Sequence, residues 1–412
     1  MKHSTSAAAH SSVEEVVESQ VPAFAAETNL SGEPLSNPAR LYSVDMLRGL
    51  VMVIMALDHV RDFFHTGGFD PTDLTKTDSA LFMTRWITHF CAPVFVFLAG
   101  TGAFLSISCG KTKPQLARFL LTRGMWLVIL ELTIIRFAWT FDFDYHYGLS
   151  ALVVWALGWS MMALAGLIFL PTWTIALFGV AMIAIHNLFD GVSGESFGSL
   201  SGLWMILHQR SGFEIAPGIE FVVVYPLIPW IGVMAAGYGF GKLLLLESEK
   251  RRRLLLALGI GLTLAFVVIR AVNVYGDQHS WAVRDNNLFT FFSFINATKY
   301  PPSLLYLLMT LGPAIIALAF LERLRESGMF ARPFLVFGRV PLFYYILHLY
   351  LIHALAVALA WARYSFAFPA PQGYGLPVVY LVWLAIIAML YPGCRWFAGV
   401  KKRRSDAWLS YL

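Results

Sequence analysis

From Tyr42 to His65 the chain reads YSVDMLRGLVMVIMALDHVRDFFH. The stretch is apolar enough to enter a bilayer, yet it carries Asp45, Arg48, Asp58, His59 and Arg61. A charge inside a spanning helix costs a few kcal/mol on insertion scales, so such groups face protein or a water-lined interior. At about 100° per residue, Arg48, Met52, Met55 and His59 fall along one stripe, with Asp45 about 40° from it. His59 then lies roughly 16 Å along the axis from Arg48, on the same face. That face offers an anion-binding group near one membrane surface and a titratable group deep within. It reads as a reaction site, with the two side chains expected to border one continuous cavity.

Outward from this stretch, composition sets the class. Of 412 residues, 58% are hydrophobic and 13% charged, with a mean hydropathy of +0.65. Soluble domains carry about 25% charged residues, so this is the composition of a membrane protein. Cys91, Cys109 and Cys394 lack disulfide or metal-ligand spacing and read as structural thiols. There is no P-loop, dinucleotide fingerprint or Gly-x-Ser-x-Gly motif, and no nucleic-acid partner is expected.

The expected fold is all-α, a polytopic transmembrane helix bundle. Spans are predicted at 43–64, 84–107, 115–140, 149–169, 172–189, 219–245, 254–274, 302–322, 333–361 and 376–396, each near the ~20 residues a bilayer needs. The Ser-, Ala- and Glu-rich residues 1–38 read as a disordered cytoplasmic tail with no signal-peptide core, 39–400 as the membrane domain, and 401–412 as a basic cytoplasmic tail. Lys111, Lys113 and Arg118, then Lys250 to Arg253, then Arg323, Arg325 and Arg332, then Lys401 to Arg404 fall on one side if both termini are cytoplasmic, as the positive-inside rule asks. The same rule accounts for the basic loop residues, which carry no site assignment even though Lys111, Lys113, Arg118 and Arg123 would attract phosphates. The expected setting is a cell membrane, crossed several times.

Several residues in this frame admit two readings. His59 is a helix–helix hydrogen-bonding group or a catalytic base, and the aligned Arg48 favours catalysis. Arg48 is an anion ligand or the i,i+3 partner of Asp45, and both hold if the pair preorganises the guanidinium. Asp58 is offset about 100° from His59, so it orients the histidine through a bend or pairs with Arg61. Gly49 would let another backbone approach. Glu131 and Arg136, five apart, do not favour each other and each expects a partner on a neighbouring helix, as a structural network. Tyr344, Tyr345 and His348 cluster on one turn, an acceptor-side or relay group, and Lys299 with Tyr300 forms an outer corner before two prolines. His89 reads as a packing residue. Asp142, Asp144 and His146 make too thin a ligand set for a metal, and none is expected.

The run S-V-D-x-L-R-G followed by M-A-L-D-H-V-R resembles the first catalytic helix of the heparan-alpha-glucosaminide N-acetyltransferase family, in particular its shorter bacterial members. Arg48-x10-His59 is also similar to the arginine–histidine pair of the family-three membrane O-acyltransferases. Further agreement runs through Arg85 to Pro93, Phe97 to Thr101, Tyr225 to Trp230, Lys299 to Ser303, Tyr344, Tyr345 and His348, and the terminal Trp408 to Leu412. The resemblance implies a transmembrane acyltransferase with acetyl-CoA as donor and a saccharide or glycan acceptor across the membrane, in a bacterial inner membrane. It implies His59 and Asp58 as catalytic, Arg48 and Asp45 on the donor, and His348, Tyr345, Lys299, Tyr300 and His65 on the acceptor. In the animal enzymes an asparagine stands at the place of His59 with a histidine further on, so His59 and His65 both remain candidates.

Two functions from different classes follow. The first is acyl transfer from cytoplasmic acyl-CoA, with lipid around the bundle and homo-oligomerisation left open. The alternative is a proton-coupled transporter or exporter using Arg48, His59 and His348, a reading weakened by the lack of an internal repeat.

Overall fold

The structure is a computed structural model that describes residues 41–412 except 67, 325–327, 329–330, 365–372, 405 and 412. The expected tail at 1–38 lies outside the described residues. Helix α1 (Tyr42–Phe64) is the central element. α2 (Ser79–Ile87) and α3 (Cys91–Ser108) form one rod through a 3-10 turn at Thr88–Phe90. α4 (Lys113–Leu130) passes through a π-helical turn (Glu131–Ile135) into α5 (Arg136–Thr140). Then come α6 (Val153–Leu167), α7 (Thr172–Ile185), α8 (Ser201–Leu207), α9 (Leu227–Phe240), α10 (Ser248–Val272), α11 (Asn287–Ile295) and α12 (Leu304–Leu321). α13 (Ala331–Arg339), α14 (Pro341–Tyr364) and α15 (Leu376–Arg403) complete the bundle. The chain is nearly all-α, and seven helical segments among the described residues are long and apolar enough to cross a membrane. α1 is not one of them, because it carries Asp45, Arg48, Asp58, Arg61 and Asp62. It packs instead against α3, α12, α13, α14 and α15.

Local chemistry explains the element ends. Asp78 accepts from the backbone N–H of Ala80 and Leu81 and so starts α2. Thr112 and Gln115 make a reciprocal capping box at α4, with a proline in the first turn. Ser303 caps α12 by accepting from Tyr306 N–H. The α1–α13 crossing rests on two glycines. A Cβ on Gly49 would sit 1.8 Å from the Phe334 carbonyl oxygen, and one on Gly338 would sit 1.9 Å from that of Asp45. Only hydrogen fits at either place, as the small-residue reading of Gly49 expects.

Several expectations need correction. The 333–361 span, long enough to be tilted or broken, is broken into two helices that part at Val340, where Pro341 at the start of α14 has no N–H to give. The 219–245 and 149–169 spans begin as strands. β1 (Leu149–Ala151) pairs parallel with β3 (Ile219–Val223), and β2 (Ser211–Ala216) pairs antiparallel with β3, with Phe213 opposite Phe221. The β-branched run of β3 suits a strand, and helix resumes only at Leu227, after Pro226. The last predicted span extends to Arg403, and beyond it Tyr411 hydroxyl pairs with Thr122 hydroxyl at 2.7 Å.

The sheet serves the site. The Ala151 carbonyl accepts from both Val224 and Tyr225 N–H at 3.2 Å, which fixes Tyr225 beside the π-helical turn of the α4–α5 rod.

Candidate active site

A cavity of about 390 Å³ opens where α1, α2, α5, α14 and the sheet converge. From α1 come Asp58, His59, Arg61 and Asp62; Arg85, Glu131, Arg136 and Trp139 come from the next two rods, Tyr345 from α14, and Tyr225, Lys299 and Tyr300 from loops. Arg85, Lys299 and Tyr300 also line a second space of about 340 Å³, together with His89, Arg210 and His279. These three side chains therefore form the wall between the two.

His59 lines the cavity and offers it an imidazole. Its Nδ1 lies 2.6 Å from His348 Nε2, and the rings stack with centroids 4.9 Å apart and 16° between planes. His348 Nδ1 lies 3.0 Å from the Tyr344 carbonyl oxygen. A carbonyl only accepts, so His348 carries its proton on Nδ1, and in the neutral ring Nε2 is an acceptor. His59 Nδ1 must then donate. The neutral His59 keeps its lone pair on Nε2, the tautomer a general base needs. Trp139 and Tyr345 meet the His59 ring edge-on at 5.1 and 6.0 Å and hold its plane.

Asp58 does not orient His59. Its two oxygens meet Arg61 at 2.8 Å and Arg85 at 2.5 Å, the consequence of its offset around the helix. Arg61 also pairs with Asp62 at 2.5 Å. Two carboxylates and two guanidiniums thus balance on one wall. Of the alternatives for Asp58, pairing with Arg61 is the one realised, and Arg85 is a partner the sequence reading missed. His348 takes the orienting role, and as a fully buried side chain it stands behind His59 and off the cavity surface.

Glu131 accepts from the backbone N–H of Val154 at 2.9 Å and Trp155 at 3.0 Å, at the start of α6. Arg136 donates to the carbonyls of Asp142 at 2.7 Å, Gly148 at 3.2 Å and Asp144. Both are structural partners, and a π-helical turn lies between them.

Lys299 is buried, and its ammonium makes no hydrogen bond among the described residues. It lies 5.1 Å from the Tyr300 ring centroid, with the Arg210 guanidinium 5.1 Å from the same ring. Burial pushes the Tyr300 phenol up, but Lys299 and Arg85 outweigh it and bring the group down to about 8.

Arg48 does not border this cavity. It donates to Asp45 at 3.1 Å and to the Gly338 carbonyl at 3.1 Å, and Met52 and Met55 are buried along the stripe towards His59. The single continuous cavity expected from the α1 stripe is therefore corrected: the α1–α13 contact holds the guanidinium and the methionines fill the gap. His65 also lies away from the cavity, where its main chain pairs with that of Tyr374. His89 is packed, edge-on to Tyr306 at 5.4 Å, and its carbonyl accepts from the Tyr306 hydroxyl at 2.7 Å. Asp144 and His146 pair with each other at 2.7 Å on an exposed loop.

The fold is that of a multi-pass helical membrane protein with a polar cavity that His59 lines. The profile of the heparan-alpha-glucosaminide N-acetyltransferase catalytic family matches residues 40–275, more than half of the chain, and the chain belongs to that family. The family is one of acetyltransferases, which makes this a membrane acyltransferase in general terms. No curated protein matches the chain. The matched region contains α1 and Arg85. It ends before Lys299, Tyr300, Tyr345 and His348.

Proposed function

We propose that the protein passes an acetyl group from cytoplasmic acetyl-CoA to a saccharide acceptor on the other side of the membrane. The bundle spans the membrane ten times with both termini in the cytoplasm, so that the basic loops share one side. The Arg48 end of α1 then faces the donor. Arg48 and Arg123 are close enough there for their like charges to interact, an arrangement relieved by a phosphate between them. The flexible Met52 and Met55 side chains line the route from there towards His59, and move aside for the donor's arm.

The observation that carries the reading is the hydrogen-bond chain from Tyr344 carbonyl through His348 to His59. It leaves His59 Nε2 as a lone pair at the cavity. The acceptor's amine or hydroxyl gives its proton to that nitrogen as its nitrogen or oxygen bonds the thioester carbonyl carbon. The carbonyl oxygen takes up negative charge, and Lys299 supplies a facing positive charge. The tetrahedral carbon collapses, the C–S bond breaks, and the coenzyme A thiolate recovers the proton from His59. The protonated His59 still donates from Nδ1 to His348, so no ring has to turn during the cycle. The acceptor enters through the second space and meets Arg85, Lys299 and Tyr300 as it reaches the reacting carbon.

Purified protein offered acetyl-CoA and a panel of amino and neutral sugars tests this by thiol release. We expect acceptor-dependent thiol release and an acetylated sugar. No release with any acceptor, together with proton-driven solute uptake in vesicles, would support a transporter instead.

A further inference from the structure

Away from the cavity, three potential ligands meet beyond the end of α7. His186 begins the 3-10 turn His186–Phe189 that continues α7, Asp190 follows that turn, and His208 follows α8. One ligand atom from each lies within 4.8 Å of the others. His186 Nδ1 and His208 Nε2 are 3.4 Å apart, and His208 Nε2 is 3.9 Å from Asp190 Oδ1. Zinc–nitrogen bonds of about 2.0–2.1 Å in a tetrahedron put neighbouring ligands roughly 3.3–3.4 Å apart. The two nitrogens already have that spacing, and the carboxylate, 3.9 Å from His208 Nε2 and within 4.8 Å of the His186 nitrogen, closes on both when a cation draws it in.

The surroundings are those of a metal site. Both imidazoles are 2% exposed. Asn187 donates to Asp190 Oδ2 at 2.8 Å and Gln278 to Oδ1 at 3.3 Å, which aims the carboxylate from behind as outer-shell partners do. His208 Nε2 donates to the His186 carbonyl at 2.9 Å, and the Pro302 main chain hydrogen-bonds the His186 ring, which leaves His186 Nδ1 turned to the other two ligands.

We infer that His186, Asp190 and His208 bind a divalent transition-metal cation, zinc by the two-nitrogen, one-oxygen ligand set. On binding, His208 holds its proton on Nδ1 and gives the cation the Nε2 lone pair, and a water fills the fourth position. The cation ties α7 to the residue that ends α8. It also stiffens the wall of the reaction cavity, because Asn187 Oδ1 accepts from Leu304 N–H at 2.8 Å, immediately after the Lys299–Ser303 corner. The site takes no part in the transfer chemistry above.

The test is metal titration of the full-length protein in detergent after stripping with a chelator. We expect one zinc ion per chain, a rise in melting temperature on binding, and with cobalt a visible absorption of the strength that tetrahedral sites give. His208→Gln and Asp190→Asn should each lose the cobalt spectrum and the zinc-dependent rise, with melting otherwise like that of the stripped wild type. Absence of stoichiometric zinc and cobalt binding by the wild type, or binding equal to wild type in both variants, would overturn the assignment. The wild-type titration decides the matter even if a variant does not fold.

Discussion

His59 Nδ1 and His348 Nε2 stand 2.6 Å apart, and His348 Nδ1 is already committed to the Tyr344 carbonyl. Two histidines 289 residues apart in sequence therefore share one proton whose position is dictated from behind. The arrangement works like the orienting member of a catalytic triad with a neutral imidazole in place of a carboxylate. It gives direction to the base without placing a second negative charge beside it.

His348 is a positioning residue, and its removal should affect turnover rather than donor binding. For His348→Phe we expect kcat to fall on the order of 10²-fold while KM for acetyl-CoA stays close to wild type. His348→Gln, whose side-chain oxygen can accept from His59 Nδ1, should recover part of the loss. Steady-state kinetics on the three proteins check this. A KM change with unchanged kcat would place His348 on the substrate instead.

Lys299 and Tyr300 make a second, electrostatic prediction. The Tyr300 phenol loses its proton as pH rises through about 8, because Lys299 and Arg85 favour the phenolate over the cost of burial. In Lys299→Met that support is reduced, so the midpoint should move to higher pH, towards or beyond the ordinary tyrosine value near 10. Labelled-tyrosine NMR titration reads the shift directly. Transfer should weaken in the same variant, with Lys299→Arg retaining more activity. A midpoint that stays put or falls would contradict the account.

The α1–α13 crossing predicts a stability effect with a simple cause. Gly49→Ala brings a methyl to 1.8 Å from the Phe334 carbonyl oxygen, and backbone cannot yield as a side-chain tip can. Overpacking of this kind costs about 1–3 kcal/mol or more. The variant should melt lower and lose the Arg48 contact to Gly338. Gly102→Ala, where nothing lies within 4 Å, is the control and should melt like wild type.

Much of this was legible in one helix. The α1 charges announced a helix with a face turned to protein or a water-lined interior, and Asp45–Arg48 pairing and the close approach at Gly49 follow from spacing and size. Other features depend on tertiary contact. The 289-residue separation hid the His59–His348 pair, even though both residues stood out. Helical spacing placed Asp58 off the His59 face without showing that Arg85 would take it. Strand β3 escaped because an apolar run from Phe221 leads on into α9, and hydropathy does not separate strand from helix within it. The continuous cavity failed for a packing reason, since a helix stripe fixes direction but not whether methionines fill the space along it.

In the proposed mechanism the His59 imidazole takes the acceptor's proton as the acetyl group passes to the far side of the membrane. Proteoliposomes with the cytoplasmic side defined by labelling, radiolabelled acetyl-CoA on that side and an amino sugar on the other, test it most directly. We expect acetylated sugar opposite the donor in wild type, and its loss in His59→Ala with folding and melting preserved. Label confined to the donor side, or wild-type transfer by His59→Ala, would contradict it.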